Sequence, residues 1–442
     1  MRLFLAIVVC KALRFIGGLI GKGSSLPGQF ALKVCPDVLG RVELPERVIA
    51  VTGSNGKTST VELLARILEQ NGMTVAYNRE GSNQIEGVTT FLLCAATLGG
   101  RVKADVVLLE SDERFARHTF QHLTPTHYVI LNLYRDQLTR NGHPQWMYDI
   151  VKESVKPGVH LLLNADDPMV ARYGLHHDGP VTWFGVDRQP DDGDFNSGAY
   201  RDGAYCPECL SPMTYDFYHF NHIGAYRCAH CGHHRPAPDY AVSALNLAGQ
   251  TMTVNGQALE LALPSYYHAY NVLAAFALCR ELGLSPQDIA RALAGYSLHS
   301  GRVVRFTLGG HAGTLLTSKH ENSISYDQSI RAATQSGEDC TVLVIVDAVS
   351  RKYFTSETSW LWDIEFEGLA APCVKEIVLA GRYCHDLAVR FAATDIDPAK
   401  VTVEEDIAAA AEHLKASSQG YIYVITCFSD KDKILSHVEV TA

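Results

Sequence analysis

The chain has 442 residues, of which 47% are hydrophobic and 19% are charged. This length is sufficient for two or three folded domains, and the composition excludes a disordered chain. The formal net charge of −10 argues against broad nucleic-acid binding, because that function requires a basic surface. The twelve cysteines do not form the dense pattern of a secreted disulfide framework, so we expect a reducing cytoplasm.

Residues 1–40 are predicted to form an N-terminal helical segment. The apolar run from Leu3 to Cys10 is followed by Lys11 and Arg14, a spacing that fits an amphipathic helix better than a secretory signal. The segment lacks the ~20 consecutive apolar residues that a membrane span requires. A helix that docks on the protein is the first interpretation, and weak contact with a membrane surface is the alternative.

Residues 41–300 are predicted to form the main α/β domain. Short apolar runs that do not alternate are separated by helical stretches, which indicates a parallel sheet covered on both faces. The predicted strands lie at 46–53, 104–111 and 127–133, and the predicted helices at 57–72 and 267–283. The stretch 191–239 has few aliphatic residues and is rich in tyrosine, histidine and cysteine, so we interpret it as an insertion.

Residues 301–442 are predicted to form a second, smaller α/β domain. The apolar runs 341–348, 374–381 and 420–426 have the length and composition of buried strands. The stretch 382–393 has helical spacing. The alternation of strand and helix again favours a parallel arrangement.

The stretch GSNGKTST follows a predicted strand and begins a predicted helix. Gly53 and Gly56 permit backbone angles and a close approach that side chains would prevent. Backbone N–H groups and the helix N-terminus can then surround phosphates. Lys57 supplies a mobile, solvent-facing positive charge, and Thr58 or Ser59 can place a hydroxyl on Mg²⁺. The pattern favours a nucleotide such as ATP over an ordinary strand–turn–helix connection.

Acidic residues follow the predicted strand VVLLE. The strand ends at Glu110, and Ser111, Asp112 and Glu113 come directly after it. Carboxylates at the C-terminal end of a parallel strand face the nucleotide crevice, where one of them can bind magnesium directly or through water. Glu110 is favoured because it ends the strand, and a solvated acidic turn is the alternative.

Two C-x-x-C pairs lie within the insertion. Cys206 and Cys209 are separated from Cys228 and Cys231 by eighteen residues, which is the spacing of a zinc ribbon. Four thiolates complete a tetrahedral shell with no open position, so we expect a structural Zn²⁺ site. Three nearby histidines are alternative ligands: His230, His233 and His234. The other eight cysteines occur singly and are expected to pack as small buried hydrophobic residues.

The order of the motifs points to a family. TGSNGKT is followed by LNLYRDQLTR, LLLNADDP, YHAYNVLAA and SGR, and this series resembles the Mur ligases, which build the peptide of the bacterial cell wall. LPGQFALKV, NREGSNQIEG, ESDE, YRDQ, the four-cysteine insertion and ETSWLWDIEFE are more narrowly similar to the MurT family of lipid II isoglutaminyl synthase subunits. The resemblance implies a Mur-ligase-like P-loop domain with a parallel sheet, a zinc-ribbon insertion at about 202–236 and a smaller C-terminal α/β domain.

The resemblance implies an ATP-dependent amidation of lipid II. The γ-phosphate of ATP would activate the D-glutamate carboxylate as an acyl phosphate. Ammonia from a separate glutaminase subunit, GatD, would then give D-isoglutamine. Such a heterodimer would be cytoplasmic and would act at the inner face of the cell membrane. The alternatives are a Mur-type ligase that adds an amino acid to a cell-wall peptide precursor, and a non-catalytic protein that uses ATP as a switch.

The resemblance also implies roles for individual residues. Lys57 and Thr58 would hold phosphate and magnesium, and Glu110 would be the family's metal carboxylate. Asn271 matches an asparagine near the adenine, and Arg302 matches an arginine that reaches the nucleotide from the domain junction. The remaining residues assigned to the nucleotide site are Gly53, Asn55, Gly56, Ser59 and Asn83.

The chain departs from the Mur-ligase pattern at three places. Gln137, which follows Asp136 in the YRDQ signature, stands where most Mur ligases have a metal-binding histidine, a difference that the MurT pattern shares. Lys152 lies at about the distance of a carbamylated lysine found in many Mur ligases, although an exposed helix lysine is the favoured interpretation. Residues 319–321 read Lys-His-Glu where the family has K-N-P.

The stretch SETSWLWDIEFEG contains two tryptophans and four acidic residues. By itself it is typical of a packed strand–helix junction with solvated acids. The resemblance to the MurT family implies that an aspartate two residues before the Ser-Trp pair completes a Cys-His-Asp triad with the glutaminase. Glu357 stands at this position, and a glutamate can still orient an imidazole. Asp363 and Glu365 are the other candidates.

Overall fold

The structure is a computed structural model of the chain. The residues that it describes are 1–19, 24–78, 83–137, 141–196, 201–297, 303–335, 337–349 and 357–441. They form two compact units. The first takes in Met1–Tyr134, Pro144–Ser197 and Arg201–Leu298, and the second consists mainly of His299–Ala442 and includes Arg135–His143.

The first unit is an α/β unit. Its described strands are β1 (Arg47–Thr52), β2 (Val75–Tyr77), β3 (Val106–Glu110), β4 (His127–Ile130), β5 (His160–Asn164), β6 (Val181–Val186), β7 (Thr214–Phe220), β8 (Ile223–Arg227), β9 (Tyr240–Asn246), β10 (Thr251–Val254) and β11 (Gln257–Glu260). Its described helices are α1 (Arg2–Leu19), α2 (Leu26–Val34), α3 (Val38–Arg41), α4 (Lys57–Gln70), α5 (Ile85–Ala95), α6 (Ala116–Thr119), α7 (Pro144–Lys152), α8 (Pro168–Leu175), α9 (Tyr266–Glu281) and α10 (Pro286–Leu293).

The main sheet of the first unit has the strand order β11-β10-β9-β6-β5-β4-β1-β3-β2 within the described residues. The pairs from β2 to β9 are parallel, which confirms the predicted parallel sheet. Strand β1 is buried along five of its six residues, as expected for a strand covered on both faces. It lies between β3 and β4, so the carboxyl ends of these three strands meet at one edge.

The sequence reading missed strands β9–β11. These three strands pair antiparallel with one another, and β9 joins them to the parallel sheet through β6. Asn255 and Gly256, both with positive φ, make the turn between β10 and β11. An Asn-Gly pair between short strands is a strong hairpin signal. The sequence therefore contained the signal for this hairpin, a few residues before the apolar helix α9.

The N-terminal helices are docked on the first unit. Ala6, Ile7 and Cys10 are buried in the same core cluster as Leu92 of α5, and the Lys11 ammonium donates a hydrogen bond to the carbonyl of Cys94 at 2.9 Å. The expected docking helix is therefore observed. None of the helices in the described part of the chain is both long and apolar enough to cross a membrane.

The cysteine-rich insertion lies between β6 and β9, which are neighbours in the sheet. Its hairpin, β7–β8, forms a separate antiparallel pair. Asp166, which follows β5, anchors it: the Asp166 carboxylate accepts a hydrogen bond from Arg235 at 2.5 Å and another from the Tyr270 hydroxyl at 2.6 Å. The Asp166 carbonyl accepts from the Gly224 N–H at 3.0 Å. A buried, paired carboxylate thus ties the insertion to the sheet.

The second unit is also an α/β unit. Its described strands are β12 (Val303–Leu308), β13 (His311–Ser318), β14 (Cys340–Ile345), β15 (Val374–Ala380), β16 (Val401–Glu404), β17 (Tyr421–Cys427) and β18 (Glu439–Val440). Its described α-helices are α11 (Ser323–Thr334), α12 (Cys384–Phe391), α13 (Ile407–Ser417) and α14 (Lys431–Leu435), with 3₁₀ turns at Ser359–Asp363, Phe366–Ala370 and Pro398–Lys400.

The sheet of the second unit has the order β16-β15-β14-β17-β13-β12-β18 within the described residues. The strands from β16 to β13 pair in parallel, which agrees with the predicted pattern. The antiparallel hairpin β12–β13 was not predicted. Its strands alternate between buried and more exposed residues. They were missed because the predicted strands were chosen from continuous apolar runs.

A candidate nucleotide site and a candidate zinc site

The loop GSNGKTST lies where three neighbouring strands end. It follows β1, while Glu110 ends β3 and Asn132 comes two residues after β4. Val51 is in register with Glu110 on β3 and with Val129 on β4. In open parallel sheets, nucleotides usually bind at the carboxyl ends of the strands, beside the topological switch point where the strand order reverses.

The conformation of the loop requires its glycines. Gly53 has φ +137° and Gly56 has φ +89°, both in the region that other residues rarely adopt. A Cβ atom on Gly56 would lie 2.1 Å from Oδ1 of Asn271. Asn271, on helix α9, therefore lies directly against the phosphate loop at the start of α4, and only a glycine leaves room for this contact.

Asn132 holds the loop from the neighbouring strand. Its Oδ1 accepts from the N–H of Asn55 at 2.8 Å, and its Nδ2 donates to the carbonyl of Asn55 at 3.1 Å. The Ser54 hydroxyl also accepts from the N–H of Tyr134 at 2.9 Å. Asn55 was assigned to the site from the sequence, whereas Asn132 was missed because its role depends on the pairing of β1 with β4.

Lys57 forms a buried ion pair. Its Nζ lies 2.7 Å from Oε1 of Glu113 and 2.5 Å from the carbonyl oxygen of Gly53. The side chains of Lys57 and Glu113 are only 7% and 4% exposed. The expectation that Lys57 faces solvent is therefore wrong, because the turn after β3 brings Glu113 over the loop. A nucleotide phosphate would compete with the Glu113 carboxylate for the lysine.

Glu110 and Asn83 come together beside the loop. Nδ2 of Asn83 lies 3.5 Å from Oε1 of Glu110, and both residues are half-buried. Thr58 and Ser59 belong to the first turn of α4 and are also half-buried. Hydroxyl and carboxylate oxygens are the ligands that Mg²⁺ prefers, so these donors fit a magnesium ion. Arg302 lies outside the described residues.

The four predicted zinc ligands form one cluster. The sulfur atoms of Cys206, Cys209, Cys228 and Cys231 all lie within 4.8 Å of one another. The Cys206–Cys231 and Cys209–Cys228 sulfur distances are both 3.5 Å. Tetrahedral Zn²⁺ with Zn–S bonds of ~2.3 Å requires sulfur atoms ~3.8 Å apart. The donor set and the spacing therefore fit a zinc ion.

The two C-x-x-C turns have matching backbone geometry. The N–H of Leu210 donates to the carbonyl of Cys206 at 2.9 Å, and the N–H of Gly232 donates to the carbonyl of Cys228 at 3.1 Å. Leu210 and Gly232, each four residues after the first cysteine of its pair, have φ of 60° and 80°. This repetition is typical of paired zinc knuckles.

The neighbouring histidines have other contacts. His233 Nε2 lies 3.3 Å from the carbonyl of Pro168, and His234 Nδ1 lies 2.7 Å from the carbonyl of Gly232. Among the described residues the metal-binding cluster consists of the four cysteines.

Burial raises the pKa of Cys206 to about 12, while a hydrogen bond with Ser211 lowers the pKa of Cys209 to about 5.

Asp136 and Gln137 of the YRDQ signature belong to the second unit. The buried carboxylate of Asp136 accepts a hydrogen bond from Asn322 at 2.7 Å and lies 3.7 Å from Nζ of Lys319. The N–H of Gln137 donates to the carbonyl of Glu321 at 2.9 Å. The altered stretch 319–321 and the signature thus contact each other, which the sequence did not reveal.

Glu357 lies at the start of the C-terminal signature. Its carboxylate accepts a hydrogen bond from the N–H of Ser359 at 2.8 Å. Hydrogen bonds with the side chain and then the backbone of Ser359 lower the pKa of Glu357. The residue is exposed, as is the indole of Trp362, whereas Trp360 is buried in the core of the second unit. A cavity of about 270 Å³ lies beside Glu357 and is lined in part by Thr358, Trp362 and Val389.

Comparison with known families now defines the class of protein. Residues 51–203 match the Mur ligase middle domain, and residues 320–430 match the MurT ligase C-terminal domain. Together with the parallel sheet and the loop at its carboxyl edge, these matches define a ligase of the Mur type.

Relatives of similar length identify the family within that class. The lipid II isoglutaminyl synthase (glutamine-hydrolyzing) subunit MurT of Staphylococcus aureus is 30% identical over 411 residues, which is 92% of this chain and 91% of that protein. The MurT subunit of Streptococcus pneumoniae is 28% identical over 433 residues, or 96% and 94% of the two chains. The chain belongs to the MurT family, as its motifs indicated.

Solved structures support the same fold. A pseudomurein peptide ligase type C from Methanothermus fervidus has a TM-score of 0.70 and 18% identity, covering 91% of this chain and 80% of that one. MurF of Thermotoga maritima, solved in complex with ADP, has a TM-score of 0.62 and 15% identity, covering 93% and 83%. At these identities the likeness concerns the fold.

Proposed function

We propose that this chain is the synthetase subunit of a lipid II isoglutaminyl synthase and amidates the D-glutamate carboxylate of lipid II with ATP and ammonia. The observation that carries the proposal is a complete phosphate loop at the carboxyl edge of the sheet, in a chain that MurT subunits match over more than nine tenths of its length. The names of those relatives supply the lipid substrate and the use of glutamine.

The reaction begins with activation of an unreactive carboxylate. A carboxylate oxygen of D-glutamate attacks the γ-phosphorus of ATP, and ADP leaves with the electron pair of the broken bond. Ammonia then attacks the acyl phosphate, and phosphate and a proton are released as the amide forms. Positioning and neutralisation of the phosphate charge are the main contributions that the protein can make to this chemistry.

Lys57 and the start of α4 are placed for that task. The ammonium of Lys57 moves from Glu113 to the outer phosphates, and backbone N–H groups at the start of α4 bind the phosphate oxygens. Thr58 or Ser59 and Glu110 would hold a magnesium ion, which would supply further positive charge to the phosphates. Asn83 orients the Glu110 carboxylate.

The zinc ribbon has a structural role in this proposal. Four cysteine ligands leave no position for a reacting water or substrate. The zinc-binding insertion is tied to the sheet through Asp166 rather than through the phosphate loop. The ion therefore stabilises the fold of the insertion and takes no part in the chemistry.

Ammonia is supplied by a GatD-like glutaminase subunit in a heterodimer. Most free ammonia is protonated near neutral pH, so a tethered source raises the concentration of the reactive form. The partner docks on the second unit near Glu357, where the carboxylate is exposed and Trp362 and Val389 provide apolar surface. Glu357 orients the histidine of the partner's catalytic cysteine–histidine pair.

The decisive experiment measures ATP hydrolysis and amidation with a lipid II substrate. We expect ammonium to support both reactions with this chain alone, and glutamine to support them only with the partner. Incorporation of an amino acid in place of ammonia would instead show a Mur-type amino-acid ligase. ATP hydrolysis that is independent of lipid II and ammonium would contradict the synthetase assignment.

A further inference from the structure

Helix α1 has two apolar faces, of which only one is covered. The inner face consists of Ala6, Ile7 and Cys10, which are buried in the core of the first unit, with Leu3 packed against it. The outer face remains exposed. Its large hydrophobic residues are Phe4, Leu5, Val8, Phe15 and Ile16.

The outer residues form one continuous stripe. At 100° per residue, the positions from Phe4 to Ile16 fall within an arc of about 120° on the helix surface. Arg2 and Lys11 flank this arc on opposite sides by the same geometry. Phe4 and Phe15 are 52% and 75% exposed, so the stripe has large aromatic side chains near both of its ends.

Helix α2 extends this surface. It packs against α1, and its exposed Leu26 and Phe30 add further apolar area. Nζ of Lys33 lies 5.1 Å from the centre of the Phe30 ring. We call the exposed residues of α1 and α2 the outer apolar face.

The charge of these two helices is opposite to that of the whole chain. Their basic residues are Arg2, Lys11, Arg14 and Lys33, and neither helix contains an acidic residue. The complete chain has a net charge of −10. A local excess of positive charge beside an apolar stripe is characteristic of helices that lie in the interface of an anionic bilayer.

The two helices present this face from fixed positions. The N–H of Gly28 donates to the hydroxyl of Thr90 on α5 at 2.8 Å. A Cβ on Gly28 would lie 1.9 Å from the carbonyl oxygen of Glu86, so α2 and α5 are in close contact. The outer apolar face therefore belongs to a packed part of the first unit.

We propose that the outer apolar face binds the surface of a membrane that contains anionic lipid. Phe4, Val8 and Phe15 insert between the headgroups, while Arg2 and Lys33 lie at the level of the phosphates. This placement brings the first unit to the membrane in which a lipid-linked substrate resides, a benefit that rests on the proposed function. The binding itself requires no substrate.

An anionic bilayer explains both properties of the face. The stripe extends along α1 for more than three turns without a polar interruption, which suits a fluid apolar layer. Arg2 and Lys11 lie at its edges, where headgroup phosphates would be. A second copy of this chain would bring the same positive charges together, and repulsion would oppose that contact.

The test is co-sedimentation of the full-length chain with phosphatidylcholine vesicles that contain or lack phosphatidylglycerol. We expect binding to the anionic vesicles. The double variant Phe4→Ser/Phe15→Ser should reduce this binding by about tenfold, since apolar insertion is lost. Arg2→Glu/Lys33→Glu should weaken binding to anionic vesicles and have little effect on neutral ones.

The matched control is Leu98→Ser/Leu175→Ser, which removes two hydrophobic residues of similar exposure, 51% and 46%, elsewhere in the first unit. Unchanged melting temperatures must accompany every comparison. Absence of vesicle binding by the wild type, or equal binding by Phe4→Ser/Phe15→Ser, would overturn the proposal. Self-association that disappears in the same variant without vesicle binding would show a protein contact instead.

Amidation of a water-soluble lipid II analogue separates this inference from the proposed function. We expect Phe4→Ser/Phe15→Ser to amidate the analogue with ammonium as well as the wild type does. Vesicle binding without any amidation would contradict the proposed function and leave the membrane surface supported. Amidation without vesicle binding would have the opposite meaning.

Discussion

Lys57 and Glu113 form an ion pair in the interior of the first unit, with 2.7 Å between Nζ and Oε1. Removal of one partner leaves the other as a buried charge without its counter-ion, which destabilises proteins by about 3 kcal/mol or more. Lys57→Ala alone therefore tests stability and phosphate binding together. The structure supplies a way to separate them.

The first prediction uses the double variant Lys57→Ala/Glu113→Gln. Both charges are removed, so the free energy of unfolding should recover relative to Lys57→Ala. Nucleotide binding should remain lost, because the phosphates have no ammonium partner, and turnover should fall by about a hundredfold or more. The measurements are chemical unfolding and titration with a fluorescent ADP analogue.

Two further variants act as controls for this prediction. Glu113→Gln retains Lys57 and should therefore still bind the nucleotide analogue when the assay contains no magnesium. Lys156→Ala removes a lysine in the segment after α7, far along the chain from the phosphate loop. This variant should behave as the wild type. A double variant that binds nucleotide normally would show that Lys57 is not the phosphate ligand.

The second prediction concerns the cysteine cluster. Freshly purified, reduced protein should contain about one zinc per chain. Cys231→Ser should lower the zinc content and increase proteolysis within the insertion, since folding of the knuckles depends on the metal. Metal content is measured by mass spectrometry, and cleavage by limited proteolysis.

Cys94→Ser is the matched control, because Cys94 is a partly buried thiol outside the cluster. It should keep its zinc and its resistance to proteolysis. Ammonium-driven amidation per folded molecule should change little in either variant. Protein that is purified under reducing conditions without zinc would contradict the assignment.

The position of the phosphate loop could be predicted from the sequence, whereas its lysine contact could not. A buried strand, two glycines, Lys57 and a helix are local features, and the structure contains them as β1, the loop and α4. The partner of Lys57 depends on the path of the chain after β3. The sequence shows several acidic residues after β3, and Glu110 was favoured among them as the magnesium ligand. Only the fold shows that Glu113 reaches Lys57.

The same distinction applies to the other sites. The four cysteines have a spacing that fixes their chemistry, so their clustering could be foreseen. Asn132 contacts the loop because β4 pairs with β1, and Asn322 contacts Asp136 because of packing within the second unit. Both contacts join residues more than seventy positions apart in the chain, which no local pattern encodes.

The third prediction concerns Asp327, whose carboxyl is buried in the second unit. Burial, with a contribution from Glu365, raises its pKa well above the ordinary value of 3.8. The folded state therefore retains a proton that the unfolded state has lost, and the free energy of unfolding decreases as the pH rises from about 4 toward the folded-state pKa. Asp327→Asn should remove this decrease and stabilise the second unit at neutral pH by about 1 kcal/mol.

Hydrogen exchange of the amides in β14 reports on the second unit by itself and provides the measurement. Asn can still accept the hydrogen bond that the N–H of Glu365 donates at 2.8 Å, so packing is preserved. Asp395→Asn, at an exposed position, is the control and should leave the pH dependence unchanged. Equal pH dependence in Asp327→Asn and the wild type would show that the carboxyl ionises normally.

The last prediction concerns the partner. With a GatD-like glutaminase bound, Glu357→Ala should lower glutamine hydrolysis by about 10³-fold, because a triad histidine loses its orienting carboxylate. Ammonium-driven amidation should stay close to the wild-type rate, since this variant leaves Lys57 and the phosphate loop unchanged and ammonium does not require glutamine hydrolysis. The two activities are measured on the same complex, with glutamate release and D-isoglutamine formation as readouts.

Three variants give this experiment its resolution. Glu357→Asp keeps the carboxylate and should retain activity or improve it, since the resemblance to the MurT family implies an aspartate at this position. Glu405→Ala removes an exposed acid elsewhere in the second unit and should have no effect, provided that the complex still forms. Asp363→Asn tests the other candidate. If Glu357→Ala leaves glutamine hydrolysis unchanged while Asp363→Asn abolishes it, the orienting carboxylate is Asp363, and the partner's histidine must approach the 3₁₀ turn Ser359–Asp363 instead.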